Sequence, residues 1–251
     1  MTAETRSHPD RLAGVRTVLA VVAHPDDESF GLGAVLDHLI GAGAEAAVLC
    51  FTRGEASTLH AAAGDLAEVR AAELSAASAV LGVGRTELLD YPDGRLDRAP
   101  VDDLADHVRR FAATVRPSHL LAFDVGGITG HPDHVQATRA ALRAADGLGL
   151  PVLGWTIPRD VAATLNAEFG TGFTGRDGRQ AGLPLMVDRT RQRRAIRCHR
   201  SQSTENPVLY RRLDLLGPTE HLRLLRPAPG NAADINPPEG GRSRNACPGG
   251  R

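Results

Sequence analysis

Two short segments concentrate the side chains that could do chemistry. Ala23-His24-Pro25-Asp26-Asp27-Glu28 lies near the start of the chain. Gly130-His131-Pro132-Asp133-His134 comes more than a hundred residues later. Imidazoles and a carboxylate suit a zinc ion, which in catalytic sites takes three protein ligands and keeps one position open for water. His24 and Asp27 are three residues apart, so one tight turn can aim both at a single point. His131 and His134 have the same spacing and, at the start of a helix, point the same way. A set of His24, Asp27 and His134 makes a two-histidine, one-carboxylate site. A metal there draws the pKa of bound water towards neutrality and polarises a carbonyl; the donor set suits ferrous iron as well as zinc. Asp26 is then left as a candidate general base for the water. His131 could stabilise a tetrahedral oxyanion or, if cationic, protonate a leaving amine.

Each segment alone has a plainer explanation. Asp commonly caps a helix and Pro commonly opens one. His8-Pro9-Asp10 shows how cheaply such triplets arise, and it carries nothing. What changes the weighting is where the two segments fall among the elements. Residues 17–23 (TVLAVVA) are a continuous Val-rich apolar run, which predicts a strand buried on both faces. Further strands are expected at 46–51, 87–90, 120–123 and 152–157. Helices are expected at 33–40, 65–81, 101–115 and 131–145, with Gly82 and Pro117 as stop signals. Strands alternating with helices predict an α/β fold with a Rossmann-like parallel sheet sandwiched by helices, in the order 3-2-1-4-5. Strands one and four are neighbours in that order, and ligands bind outside the carboxyl ends of strands where the chain reverses direction. The first segment follows strand one and the second follows strand four, so both should meet in one crevice.

Beyond Pro158 the pattern loosens. A helix at 161–169, a Gly-rich loop at 170–182, a last strand at 186–187 and a basic helix at 189–201 predict a C-terminal α/β extension that frames the site. Residues 1–226 are expected to form one domain. Residues 227–251, rich in Pro, Gly and Asn, are expected to be a disordered tail.

With these motifs in place, the chain resembles the zinc-dependent de-N-acetylases of the LmbE-like family, which includes the GlcNAc-phosphatidylinositol, mycothiol and bacillithiol deacetylases. The resemblance runs from about Thr17 to His221. It extends to Thr52-Arg53-Gly54-Glu55 after strand two, to Arg70 and Glu73 in RAAEL, to Tyr91-Pro92-Asp93-Gly94 after strand three, and to the late segment from Ala195 to Gln202. It implies ligands His24, Asp27 and His134, Asp26 as the base, an electrostatic role for His131, and Asp133 orienting a histidine. It also implies Arg53, Arg70, Asp93, His199 and Gln202 as substrate-binding residues. The implied activity is hydrolysis of an N-acetyl group on an N-acetylglucosamine-type glycoside. One position departs: some members carry a tyrosine as an oxyanion helper two places before His131, where this chain has Thr129.

Composition narrows the alternatives. The chain has 251 residues, 42% hydrophobic and 24% charged, with a formal net charge of -1. That is an ordinary globular composition, and it predicts no nucleic-acid or membrane surface. No apolar run approaches the roughly 18 residues of a membrane span, and residues 1–9 have no signal-peptide pattern. Cys50, Cys198 and Cys247 are scattered, which argues against a disulfide framework and for a cytoplasmic protein. Gly31-Leu32-Gly33 is a fragment of a dinucleotide fingerprint, but the third glycine is replaced by Leu36. The competing functions are an amidase of thiol-sugar conjugates, a tailoring deacetylase of a glycosylated natural product, and a non-catalytic metal-dependent sugar-binding module.

Overall fold

The computed structural model describes residues 12, 14–59 and 65–228. The expectations for residues 1–9, for Cys247 and for nearly all of the 227–251 tail lie outside the described residues. The parallel core contains β1 (Thr17–Val22), β2 (Glu45–Thr52), β3 (Arg85–Tyr91), β4 (His119–Phe123) and β5 (Val152–Thr156). Between them run α1 (Asp27–Phe30), α2 (Gly33–Gly41), α3 (Leu66–Leu81), α4 (Val101–Val115) and α5 (Pro132–Leu148). The extension adds α6 (Arg159–Phe169), β6 (Leu183–Met186), α7 (Thr190–Ile196), α8 (Arg200–Ser203), α9 (Pro207–Leu216) and β7 (Thr219–Arg226).

One seven-stranded sheet takes the order β3-β2-β1-β4-β5-β7-β6. Its first five strands are parallel in the order expected, while β7 pairs antiparallel with both β5 and β6. The Val-rich run of β1 explains why that strand is central, because both of its faces must be covered. Val18, Ala20 and Val22 pack beneath Leu36, Leu39, Leu74 and Leu81 of α2 and α3. Leu19 and Val21 pack on the other side against Leu104, Val108, Ala141 and Ala145 of α4 and α5. The helix ends follow local chemistry. Asp65 caps α3 by accepting from the amide of Ala67, and Gly82 closes that helix at φ 83°, a conformation only glycine adopts without strain.

The chain winds outward from β1 through β2 to β3, then returns to β4 on the opposite side of β1. That reversal opens a crevice between the carboxyl ends of β1 and β4. The extension differs in detail from expectation. The basic helix expected at 189–201 is two helices, α7 and α8, broken at residues 197–199. The strand expected at 186–187 lies at Leu183–Met186, and α9 and β7 were not expected. Among the described residues no helix is long and apolar enough to cross a membrane.

Candidate active site

The turn after β1 is organised by a ligand candidate itself. Oδ2 of Asp27 accepts from the amides of Ala23 (3.1 Å) and His24 (3.0 Å), so the carboxylate closes the end of the strand and sits beside the His24 ring. Across the crevice, His131 caps α5: its Nδ1 accepts from the Asp133 amide, and Pro132 follows at the first helical position. The next turn of α5 carries His134 inward. Nδ1 of His24 lies 3.1 Å from Nε2 of His134, which lies 3.1 Å from Oδ1 of Asp27. His24, Asp27 and His134 are all buried and form a group able to hold a metal ion.

The outward nitrogens of both rings are held by acceptors. Nδ1 of His134 faces the Thr129 hydroxyl (2.7 Å) and the Gly127 carbonyl (3.2 Å). Nε2 of His24 faces Oδ1 of Asp93 (3.1 Å) and Oδ2 of Asp133 (3.3 Å). Asp133 is itself fixed by accepting from the amides of Gly94 and Leu96. Acceptors on the outside place the ring protons there and turn the lone pairs inward, the arrangement seen around metal-binding imidazoles. Two facing ring nitrogens beside a buried carboxylate call for a positive charge between them, so this donor set fits a metal ion.

With no cation between the rings, the surrounding carboxylates keep the positive charge on His24 itself. Burial pulls the His24 pKa down, but Asp133, Asp93 and Asp27 outweigh it and lift it to about 10. Burial pushes Asp27 up, but His134 and His24 outweigh it and hold the carboxyl below its usual range. Asp26 moves the other way: burial raises it to about 6 although Arg70 opposes the shift. A carboxylate near neutrality is well matched to general-base work. Burial, reinforced by His24 and His134, lowers the His131 pKa. Nδ1 of His131 accepts from the Asp133 amide, which leaves Nε2 as the ring position able to donate.

Of the residues expected around this centre, Asp133 and Asp93 contact His24 as described. Arg70 is only 3% exposed, and its guanidinium bonds Asp26 Oδ2 (2.9 Å) and the carbonyls of Gly54 and Pro25. His199 does not face a substrate: it is fully buried, with Nε2 2.7 Å from Oε1 of Glu28. Gln202 is likewise buried, accepting from the Ser57 hydroxyl at 2.7 Å. The late segment was expected to lie near the substrate, but the break between α7 and α8 turns it inward. Arg53 stays at the rim, paired with Glu68 at 2.9 Å. Sequence reasoning gave no role to Glu28, although it ends the first motif, nor to Gln192 and Arg212. Both of the latter donate to the carbonyl of Phe30 in α1.

Comparison with known proteins bears on what this centre does. The family model described as GlcNAc-PI de-N-acetylase matches residues 19–145, half of the chain, and includes both motifs. The chain belongs to the GlcNAc-PI de-N-acetylase family. As a member it is a hydrolase of N-acetyl amide bonds. A 1D-myo-inositol 2-acetamido-2-deoxy-alpha-D-glucopyranoside deacetylase from Salinispora arenicola is 31% identical over 78% of this chain and 79% of its own. A protein of the same name from Kineococcus radiotolerans is 31% identical over 71% of this chain and 62% of its own. Among solved structures, the N,N'-diacetylchitobiose deacetylase from Pyrococcus horikoshii superimposes with a TM-score of 0.66 at 20% identity, covering 90% of this chain and 91% of that one. That likeness supports the family's fold.

Proposed function

We propose that this protein removes the acetyl group from an N-acetylglucosamine-type glycoside, using one zinc ion held by His24, Asp27 and His134. The observation that carries the reading is the inward pair of ring nitrogens beside Asp27, with Asp26 next to it in the chain. A zinc ion held there would supply a water of near-neutral pKa and would polarise the amide carbonyl. Asp26 accepts a proton from the attacking water and passes it to the leaving amine as the C–N bond breaks, and Arg70 orients its carboxylate. The Nε2–H of His131 donates towards the oxygen on which negative charge develops. Asp133 and Asp93 hold the His24 ring, and Thr129 with Gly127 holds His134. The Thr129 hydroxyl is thus spent on a ligand and is no substitute for an oxyanion tyrosine. Arg53, at the rim, contacts the sugar or its aglycone. The names of the relatives make an inositol-linked N-acetylglucosaminide the first substrate to try.

The test is amine release from a panel of N-acetylglucosaminides with inositol, malate and lipid aglycones, using zinc-loaded protein with and without a chelator. Release that the chelator abolishes is the expected result, and it ranks the aglycones. No release from any member, with zinc bound stoichiometrically, would overturn the substrate reading and favour a sugar-binding module.

A further inference from the structure

Asp26 sits at φ 122° and ψ -29°, a region that side chains other than glycine rarely occupy. Such a conformation is strained and persists only when neighbours enforce it. The neighbours are visible. The amide of Asp26 donates to Oε2 of Glu28 at 2.9 Å. Glu28 is fully buried, and its other oxygen accepts from Nε2 of His199 (2.7 Å) and from the Ser29 hydroxyl. His199 is itself fully buried and packs edge-on to Phe30, with ring centroids 5.8 Å apart. The Asp26 carbonyl accepts from the amides of Ser29 and Phe30, and the far end of that turn is held where Gln192 and Arg212 donate to the Phe30 carbonyl.

A buried carboxylate is costly unless it is paired and fully hydrogen-bonded. Glu28 draws one of its hydrogen-bond partners from the extension, since the His199 ring nitrogen arrives from 171 residues away. We propose that the buried Glu28–His199 pair is a positioning device for Asp26, fixing the backbone of the base in its left-handed conformation so that its carboxylate faces the ligand group. This rests on Asp26 being the base. Neither Glu28 nor His199 touches substrate; both act through the Asp26 amide.

The pair makes a distinguishable prediction. His199→Phe fills the volume but cannot donate to Glu28. It should lower kcat by about 100-fold, the scale of a small misplacement of a reacting group, with KM and bound metal nearly unchanged. His199→Gln, which restores a donor, should recover most of that loss. Equal kcat in the two variants would overturn the proposal. A second readout needs no turnover. At φ 122° Ala is strained and Gly is not, so Asp26→Gly should melt about 4 °C above Asp26→Ala. Combined with His199→Phe, that gap should fall by half or more, because the turn can relax. An unchanged gap would sink the device even if Asp26 is the base, whereas wild-type turnover in Asp26→Asn would remove the base and leave the coupling standing. If His199→Phe fails to fold, the same comparison with Glu28→Gln, which keeps the shape, decides the matter.

Discussion

From β1 to β5 the strands run parallel, and the side chains of chemical interest gather where they end. His24, Asp26 and Asp27 follow β1, Asp93 follows β3, and His131, Asp133 and His134 follow β4. Beyond Thr156 a set of polar side chains turns inward. Arg189, Gln192, His199, Gln202, Arg212 and Glu220 are each no more than 8% exposed. Gln202 bonds Ser57, and the others bond to one another, to Trp155 and to the 26–30 turn. On the proposed mechanism the first region supplies the reacting groups, and the second braces the 26–30 turn among them. A motif can therefore be rich in histidine and arginine, and lie against the site, without touching what the site binds.

Substitutions can break that comparison if it is wrong. The largest effect is expected from His134→Ala, which should lose stoichiometric metal and with it essentially all amine release; metal titration by calorimetry checks this. A variant that still binds one equivalent would remove His134 from the ligand set. Next comes Asp26→Asn, which should keep the metal and lose about 10²–10⁴ in turnover, the usual range for a general base. The wild-type kcat/KM should fall with acid, because the base works only when ionised. Its acidic limb should lie at or below about 6, since a bound cation can only lower the value that burial raises. Asp26→Asn should lack that limb.

The extension should respond differently. Glu220→Leu strands the Arg189 guanidinium and the Trp155 indole N–H, which now share its carboxylate. Removing one partner of a buried pair costs about 3–5 kcal/mol, so the denaturation midpoint should drop sharply. Turnover measured well below that midpoint should change little. A large loss of turnover with stability intact would blur the division between the regions. The smallest effect is expected from Arg53→Ala. Its pair with Glu68 is exposed, so stability should move by about 0.5 kcal/mol or less, while a rise in KM at constant kcat would mark the rim contact.

The same division explains what the sequence made legible. Residues 17–23 could only be a doubly buried strand, and the two His-Asp clusters could be placed because each follows such a strand. The order of the first five strands followed from that. The extension was harder to read because its elements are short and set by distant partners. β7 reads Thr-Glu-His-Leu-Arg-Leu-Leu-Arg, with Glu220 and Leu222 buried. An alternation was present, but a buried glutamate makes sense as a strand residue only once Arg189 and Trp155 are beside it. His199 was assigned to substrate because its motif was intact; only the break at residues 197–199 shows which way it faces. Arg70 was placed near the site, and its hold on Asp26 depends on the path of the 53–54 loop, which no local pattern gives.

The place of β7 also bears on how the protein is made. It is the last described element in the chain, yet it lies between β5 and β6 and covers the edge that Val152–Thr156 otherwise presents. During synthesis the ribosome releases the whole parallel core first, with that edge unpaired and the Trp155 indole without its carboxylate partner. An open hydrophobic strand edge is a template for pairing with another chain. Until Thr219–Arg226 arrives, that edge is therefore open to such pairing, and a chaperone would have it to protect.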